Sequence, residues 1–103
     1  MCIRDRKSID SYTKAIDIDP QSSRAYFLRA LSKGELKDFI GTLEDCSKAI
    51  EIKPHNEDAY FDRGVAKRVL NDFKGAIEDF TKAIEINPKF ELAYEYRGST
   101  KNK

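Results

Sequence analysis

The sequence predicts an all-α fold, a solenoid of stacked helical hairpins with six helices. Three observations predict it. Pro20, Pro54 and Pro88 stand at intervals of 34 residues, a period that belongs to repeat architectures rather than to a single globular core. Other columns run in the same phase: Lys14/Lys48/Lys82, Ala15/Ala49/Ala83, Ile16/Ile50/Ile84, Ile18/Ile52/Ile86 and Tyr26/Tyr60/Tyr94. Within each period, apolar residues recur at three- and four-residue steps, the spacing of one helix face. Units of this kind bury a core only against their neighbours, and they present an extended surface suited to holding a partner.

Met1–Arg6 falls outside the period. Cys2 occupies the column of Leu36 and Leu70, and Asp5 that of Phe39 and Phe73. These six residues can be encoded by ATGTGTATAAGAGACAG plus one base, a string that resembles the transposase end used in sequencing-library preparation. The expectation is that residues 1–6 are translated adapter and that the chain is a fragment read from shotgun, metagenomic DNA. A native capping segment is the alternative.

Residues 7–22 then hold the second helix of a truncated repeat, at 7–18. Residues 23–56 form a complete repeat with helices at 23–36 and 39–52; Gly34, near the end of the first, makes its turn look irregular. Residues 57–90 form a second complete repeat, with helices at 57–70 and 73–86. In the latter, Phe73, Ala76, Ile77, Phe80, Ala83 and Ile84 make an apolar stripe. The opposite face carries Glu78 and Lys82, an acid four residues before a base, as do Glu44–Lys48 and Asp10–Lys14. Such pairs support an exposed helix by about 0.3 kcal/mol each. Asn71-Asp72 marks the turn within this hairpin. Pro88 cannot continue a helix and biases its predecessor away from helical angles, so the helix should end near Ile86 or Asn87. Residues 91–103 hold the first helix of a further, truncated repeat. Unpaired helices at the two ends would expose apolar faces and could drive self-association.

Composition narrows the function. Charged residues make up 36% of the chain but balance to a net +1, which gives no reason to expect nucleic acid or an anionic membrane as partner. No apolar run approaches the ~18 residues of a membrane span. The N-terminus shows no secretory signal pattern, although an adapter origin would make that uninformative about the parent protein. A reducing, cytoplasmic setting is the default. Cys2 and Cys46 form no metal or redox motif. His55, the only histidine, follows Pro54 in a loop, with no acid or cysteine arranged around it. The five glycines never cluster into a phosphate-cradling loop. Cys46 shares a column with Tyr12 and Phe80, so it reads as a core side chain rather than a nucleophile. The expectation is no catalytic residue, no metal and no cofactor: the chain is not an enzyme.

The columns resemble the tetratricopeptide repeat. Ala76, Phe80 and Pro88 match that family's Ala-x3-Phe followed by Pro. Ala83, Tyr60 and Gly64 stand in its other small and aromatic columns. The neighbouring copy is looser: Tyr26, Ala30, Thr42, Cys46, Ala49 and Pro54. The resemblance covers residues 7–103 and implies a right-handed superhelix whose first helices line a concave face where peptides lie. Two departures repeat in every copy. The family's usual Leu is Arg29, Arg63 and Arg97, and its usual Tyr is Lys33, Lys67 and Lys101. These long side chains are expected to cover apolar surface with their stems while their charges reach water.

The apolar arc of each first helix is wider than one packing interface needs. The expected binding groove for a peptide or protein segment comprises Arg24, Phe27, Leu28, Leu31, Asp58, Phe61, Asp62, Val65, Arg68 and Tyr96. The alternative for Phe27, Phe61 and their neighbours is that they only seal adjacent repeats. One subfamily grips chaperone C-termini with Lys and Asn. The matching columns here hold Phe27, Leu31, Asp62, Leu92 and Tyr96, so that clamp is not expected. The reading is therefore a protein-interaction module without catalysis. The alternative is an accessory array of a larger enzyme or signalling protein. An RNA-binding helical repeat is disfavoured by the strict period and the near-neutral charge.

Overall fold

In the computed structural model, which describes residues 6–102, six helices follow one another: α1 (Arg6–Ile18), α2 (Ser23–Glu35), α3 (Phe39–Ile52), α4 (Glu57–Val69), α5 (Phe73–Ile86) and α6 (Glu91–Lys101). The adapter reading concerns Met1–Arg6, of which Met1–Asp5 lie outside the described residues; α1 begins at Arg6. Each helix packs on the next, and α2 also touches α4, as α4 touches α6. The first helices of successive repeats therefore lie side by side, in a molecule of 40 × 26 × 22 Å.

Local chemistry sets the helix ends. Ser22, Asp38, Asn56 and Asp72 each accept a hydrogen bond from a backbone N–H three residues on, satisfying one of the orphan donors of the first turn. A Cβ at Gly41 or Gly75 would run into the capping carboxylate of Asp38 or Asp72. Lys53 and Asn87, which precede prolines, leave the helix for extended angles (φ −128° and −131°).

The turns within the two hairpins are equivalent, contrary to the expectation of an irregular one near Gly34. Gly34 is part of α2. Lys37 and Asn71 take the left-handed position (φ 65° and 70°), and Asp38 N–H and Asp72 N–H donate to the carbonyls of Lys33 and Lys67 at 2.8 Å. This is the Schellman closure, in which glycine is usual and asparagine is tolerated. In the first hairpin a lysine bears the same strain.

The core is a chain of small residues with one ring. Ala30, Cys46, Ala49, Ala59, Ala66, Ala76, Phe80, Ala83 and Ala93 are fully buried. Facing positions compensate in volume. A Cβ on Gly64 would lie 2.7 Å from Phe80 Cε1, so the glycine is required for the ring to fit. In the preceding repeat the same two columns hold Ala30 and Cys46, a larger residue facing a smaller one. Thr42 stands in the Ala76 column, and its hydroxyl donates to the Ala30 carbonyl at 2.9 Å, so the core gains no unpaired polar group. Burial pushes the Cys46 thiol up, with Asp62 and Asp45 adding to the effect. The thiolate is the reactive form. Native Cys46 should therefore resist iodoacetamide at neutral pH and react only as the chain unfolds, read by peptide mass spectrometry; fast labelling of the native chain would remove Cys46 from the core.

In the two complete repeats the Arg and Lys do not send their charges to water. Arg29 grips Asp45 with two parallel bonds of 2.8 Å, and Lys33 reaches the same carboxylate at 3.1 Å. Arg63 and Lys67 hold Asp79 in the same way, at 2.8–2.9 Å and 3.1 Å. Both acid side chains are only 5% exposed. The guanidinium also donates backward, from Arg29 to Thr13 and from Arg63 to Ser47. Each arginine thus ties the second helix of one repeat to the second helix of the next. Hydrogen bonding to Asp45 and Asp79 raises the Arg29 and Arg63 pKa values further, against the opposing effect of burial. The guanidinium groups themselves lie over the rings of Tyr26 and Tyr60, 5.6 and 5.4 Å from the centroids, so the charged heads meet aromatic surface as well as a carboxylate. The expected exposed pairs also differ: the glutamates that approach Lys48 and Lys82 are Glu51 (3.6 Å) and Glu85 (3.8 Å), three residues on, where such contacts contribute little.

Candidate functional site

A cleft of about 240 Å³ opens where α2 and α4 run side by side. Ala30 and Leu31 come from α2, Val65 and Ala66 from α4, and Phe39 from the start of α3. Two acids, Glu35 and Asp62, line it as well. The small Ala30 and Ala66 let the helices approach, and Leu31 and Val65 are half-buried.

Of the ten residues expected to bind a partner, the structure brings Leu31, Asp62 and Val65 to this cleft. Phe27 and Phe61 have their faces turned to the seams between repeats. Phe27 packs on Ala49, Ile50 and Ala59, and Phe61 on Ala83, Ile84 and Ala93. Phe61 also stacks against Phe90, Tyr96 and Phe80, with ring centroids 5.0, 5.1 and 5.6 Å away. Arg68 and Tyr96 bridge α4 and α6: the guanidinium lies 5.7 Å from the ring centroid and donates to Ser99 Oγ at 2.9 Å. Leu28 is half-buried on α2, and Arg24 is exposed at its start. Asp58 is exposed in the first turn of α4, its carboxyl pushed up by partial desolvation and by the neighbouring Glu57.

Sequence reading missed Glu35 and Phe39 as lining residues. Glu35 lies four residues after Leu31, on the same helix face, and that signal was present. Phe39 comes from the second helix of its hairpin, and only its place beside the closed turn brings it to the cleft. Among the described residues no group of three or more His, Cys, Asp or Glu could hold a metal, and no helix is long and apolar enough to cross a membrane.

A family model described as the tetratricopeptide repeat (TPR) matches residues 57–90. Among solved structures, the Arabidopsis OM64 TPR domain is 31% identical, with 91% of this chain and 78% of that chain covered and a TM-score of 0.89. The first TPR of Spaghetti (RPAP3) bound to the HSP90 peptide SRMEEVD is 29% identical, over 91% and 75%, with a TM-score of 0.90. The first TPR domain of human RPAP3 is 29% identical, over 91% and 74%, with a TM-score of 0.88. No curated protein matches the sequence.

Proposed function

Because the chain belongs to the tetratricopeptide repeat family, we propose that it works as a protein-interaction module that holds a segment of another protein in the cleft between α2 and α4. It contributes no chemistry of its own in this reading. The observation that carries the proposal is the cleft itself: an apolar lining of Ala30, Leu31, Val65 and Ala66 on adjacent first helices. A similar structure holds the HSP90 peptide SRMEEVD. The segment suited to this cleft presents an apolar anchor to Leu31 and Val65.

Selection of a random peptide display library against the chain tests this reading. Enriched peptides should share an apolar anchor, and the SRMEEVD peptide should not compete with them, because the columns of a Lys/Asn carboxylate clamp hold Phe27, Leu31, Asp62, Leu92 and Tyr96 here. Val65→Arg puts a long cation into the cleft from a half-buried helix position. It should abolish capture while leaving the helical circular dichroism intact. Undiminished capture by Val65→Arg would remove the cleft as the binding site.

A further inference from the structure

The α2–α4 cleft has a counterpart one repeat on, between α4 and α6, and the column of Gly34 sets the two apart. Positions of the first cleft recur 34 residues later: Leu31 at Val65, Gly34 at Arg68, Phe39 at Phe73, Asp62 at Tyr96 and Val65 at Ser99. Gly34 lines the first cleft without a side chain to fill it. Arg68 instead crosses from α4 to α6, where its guanidinium lies 5.7 Å from the Tyr96 ring centroid and donates to Ser99 Oγ at 2.9 Å. Those two contacts fall on the columns of Asp62 and Val65, which form the α4 wall of the first cleft. The opening that remains beside Arg68 is lined by Val69, Asn71 and Phe73, at the turn between α4 and α5.

Arg68 holds this position at a cost. Its Nε is buried with no hydrogen-bond partner among the described residues, and a buried donor left unpaired is unfavourable. Ser99 is exposed, so water can serve its hydroxyl without the arginine, and removing the guanidinium strands no polar group. The size of the first cleft adds a second constraint. Its volume of about 240 Å³ lies below the roughly 300–1,000 Å³ of small-molecule sites, so it takes one side chain of a longer segment.

We propose that the Gly34/Arg68 column sets the register of the bound segment and the number of its anchors. Gly34 leaves room between α2 and α4 for a single large apolar side chain, and Arg68 closes the equivalent seat between α4 and α6. The occupant is a segment of another protein with one apolar anchor, not a run of anchors at the repeat spacing. This rests on the α2–α4 cleft being the binding site, as proposed above. The two clefts flank α4, so they lie about one helix spacing apart, roughly 8–10 Å, which an extended segment covers in about three residues.

The probe is a random peptide display library, selected in parallel against the parent chain and against Arg68→Ala. Peptides from the parent should share one apolar anchor. Those from Arg68→Ala should gain a second, about three residues from the first, while the helical circular dichroism is unchanged. A synthetic copy of a parental peptide should lose about tenfold or more in affinity for Gly34→Arg, since its anchor is turned out of the cleft. A Cβ at Gly34 would lie 3.3 Å from Thr42 Oγ1. Gly34→Arg is therefore also made with Thr42→Ala, which copies Arg68 and Ala76 of the second repeat, and is compared with Thr42→Ala alone. Parental affinity in both Gly34→Arg forms, or the same peptides from Arg68→Ala as from the parent, would overturn the proposal. When Val65→Arg abolishes capture in the same assay, that failure belongs to the column and leaves the cleft as the binding site. When Val65→Arg captures the peptide too, or the parent selects no shared anchor, the cleft reading falls and this one with it.

Discussion

Asp79→Ala should cost about 3 kcal/mol in urea unfolding, a large share of the roughly 5–15 kcal/mol that holds a small domain together. The carboxylate is 5% exposed and takes three charged contacts, two from Arg63 and one from Lys67. Removing it leaves a guanidinium and an ammonium, each about four-fifths covered, facing each other without a counter-charge. Most of the loss is that penalty rather than the net worth of the pair. Arg63→Met in the same chain should therefore recover part of it, so that the double variant is more stable than the two single losses would sum to. Glu78→Ala, one residue away on the exposed face, should stay within about 0.5 kcal/mol of the parent. If Asp79→Ala fell no further than Glu78→Ala, the repeated Arg–Asp–Lys contact would have no part in stability.

That contact is also where the sequence was least legible. The helices were readable because prolines, caps and a helical apolar period all recur in one phase, and each signal is local to a few residues. Their ends differ by a single residue at Leu36 and Leu70, which leave the helix as caps. The Arg–Asp pair spans sixteen residues and two helices, beyond the reach of any i,i+4 pattern. One signal did exist: Asp45 and Asp79 recur in the column beside Cys46 and Phe80, an acid placed against the core stripe in both complete repeats. A repeated acid there implies a repeated cation opposite it, which the Arg29/Arg63 column supplies. The cleft was partly legible for a related reason. Leu31, Asp62 and Val65 follow from the helix face alone, whereas whether Phe27 and Phe61 face a partner or a seam depends on how far each ring turns between repeats. The packing puts them in the seams.

The arrangement separates two kinds of side chain that the sequence shows mixed along each first helix. Tyr60, Phe61 and Arg63 are committed to joining α4 to its neighbours. Leu31, Asp62 and Val65 face the cleft between first helices. A variant that fails to bind a partner is therefore informative only when it falls in the second set, because a change in the first set loosens the array that shapes the cleft.

Ala83→Glu should abolish the cooperative thermal transition altogether. Ala83 is fully buried in a cluster with Ile84 and Ala93, against which Tyr60, Phe61 and Phe90 pack. It therefore sits where α4, α5 and α6 meet. A glutamate there either ionises without a partner or is buried protonated, and both are costly on top of the strain of forcing a long side chain into a site built for a methyl group. In a solenoid the damage is not confined. Each helix buries its stripe only against its neighbours, so prying α6 from α5 uncovers Phe90 and the Phe61–Tyr96 contact and removes the support of α4. Lys82→Gln, its exposed neighbour, should leave the transition in place, since the Lys82–Glu85 contact of 3.8 Å is weak and solvated. The measurement is a melt followed by circular dichroism at the helical minimum. A cooperative transition for Ala83→Glu at the parental temperature would mean that α5 buries a different face.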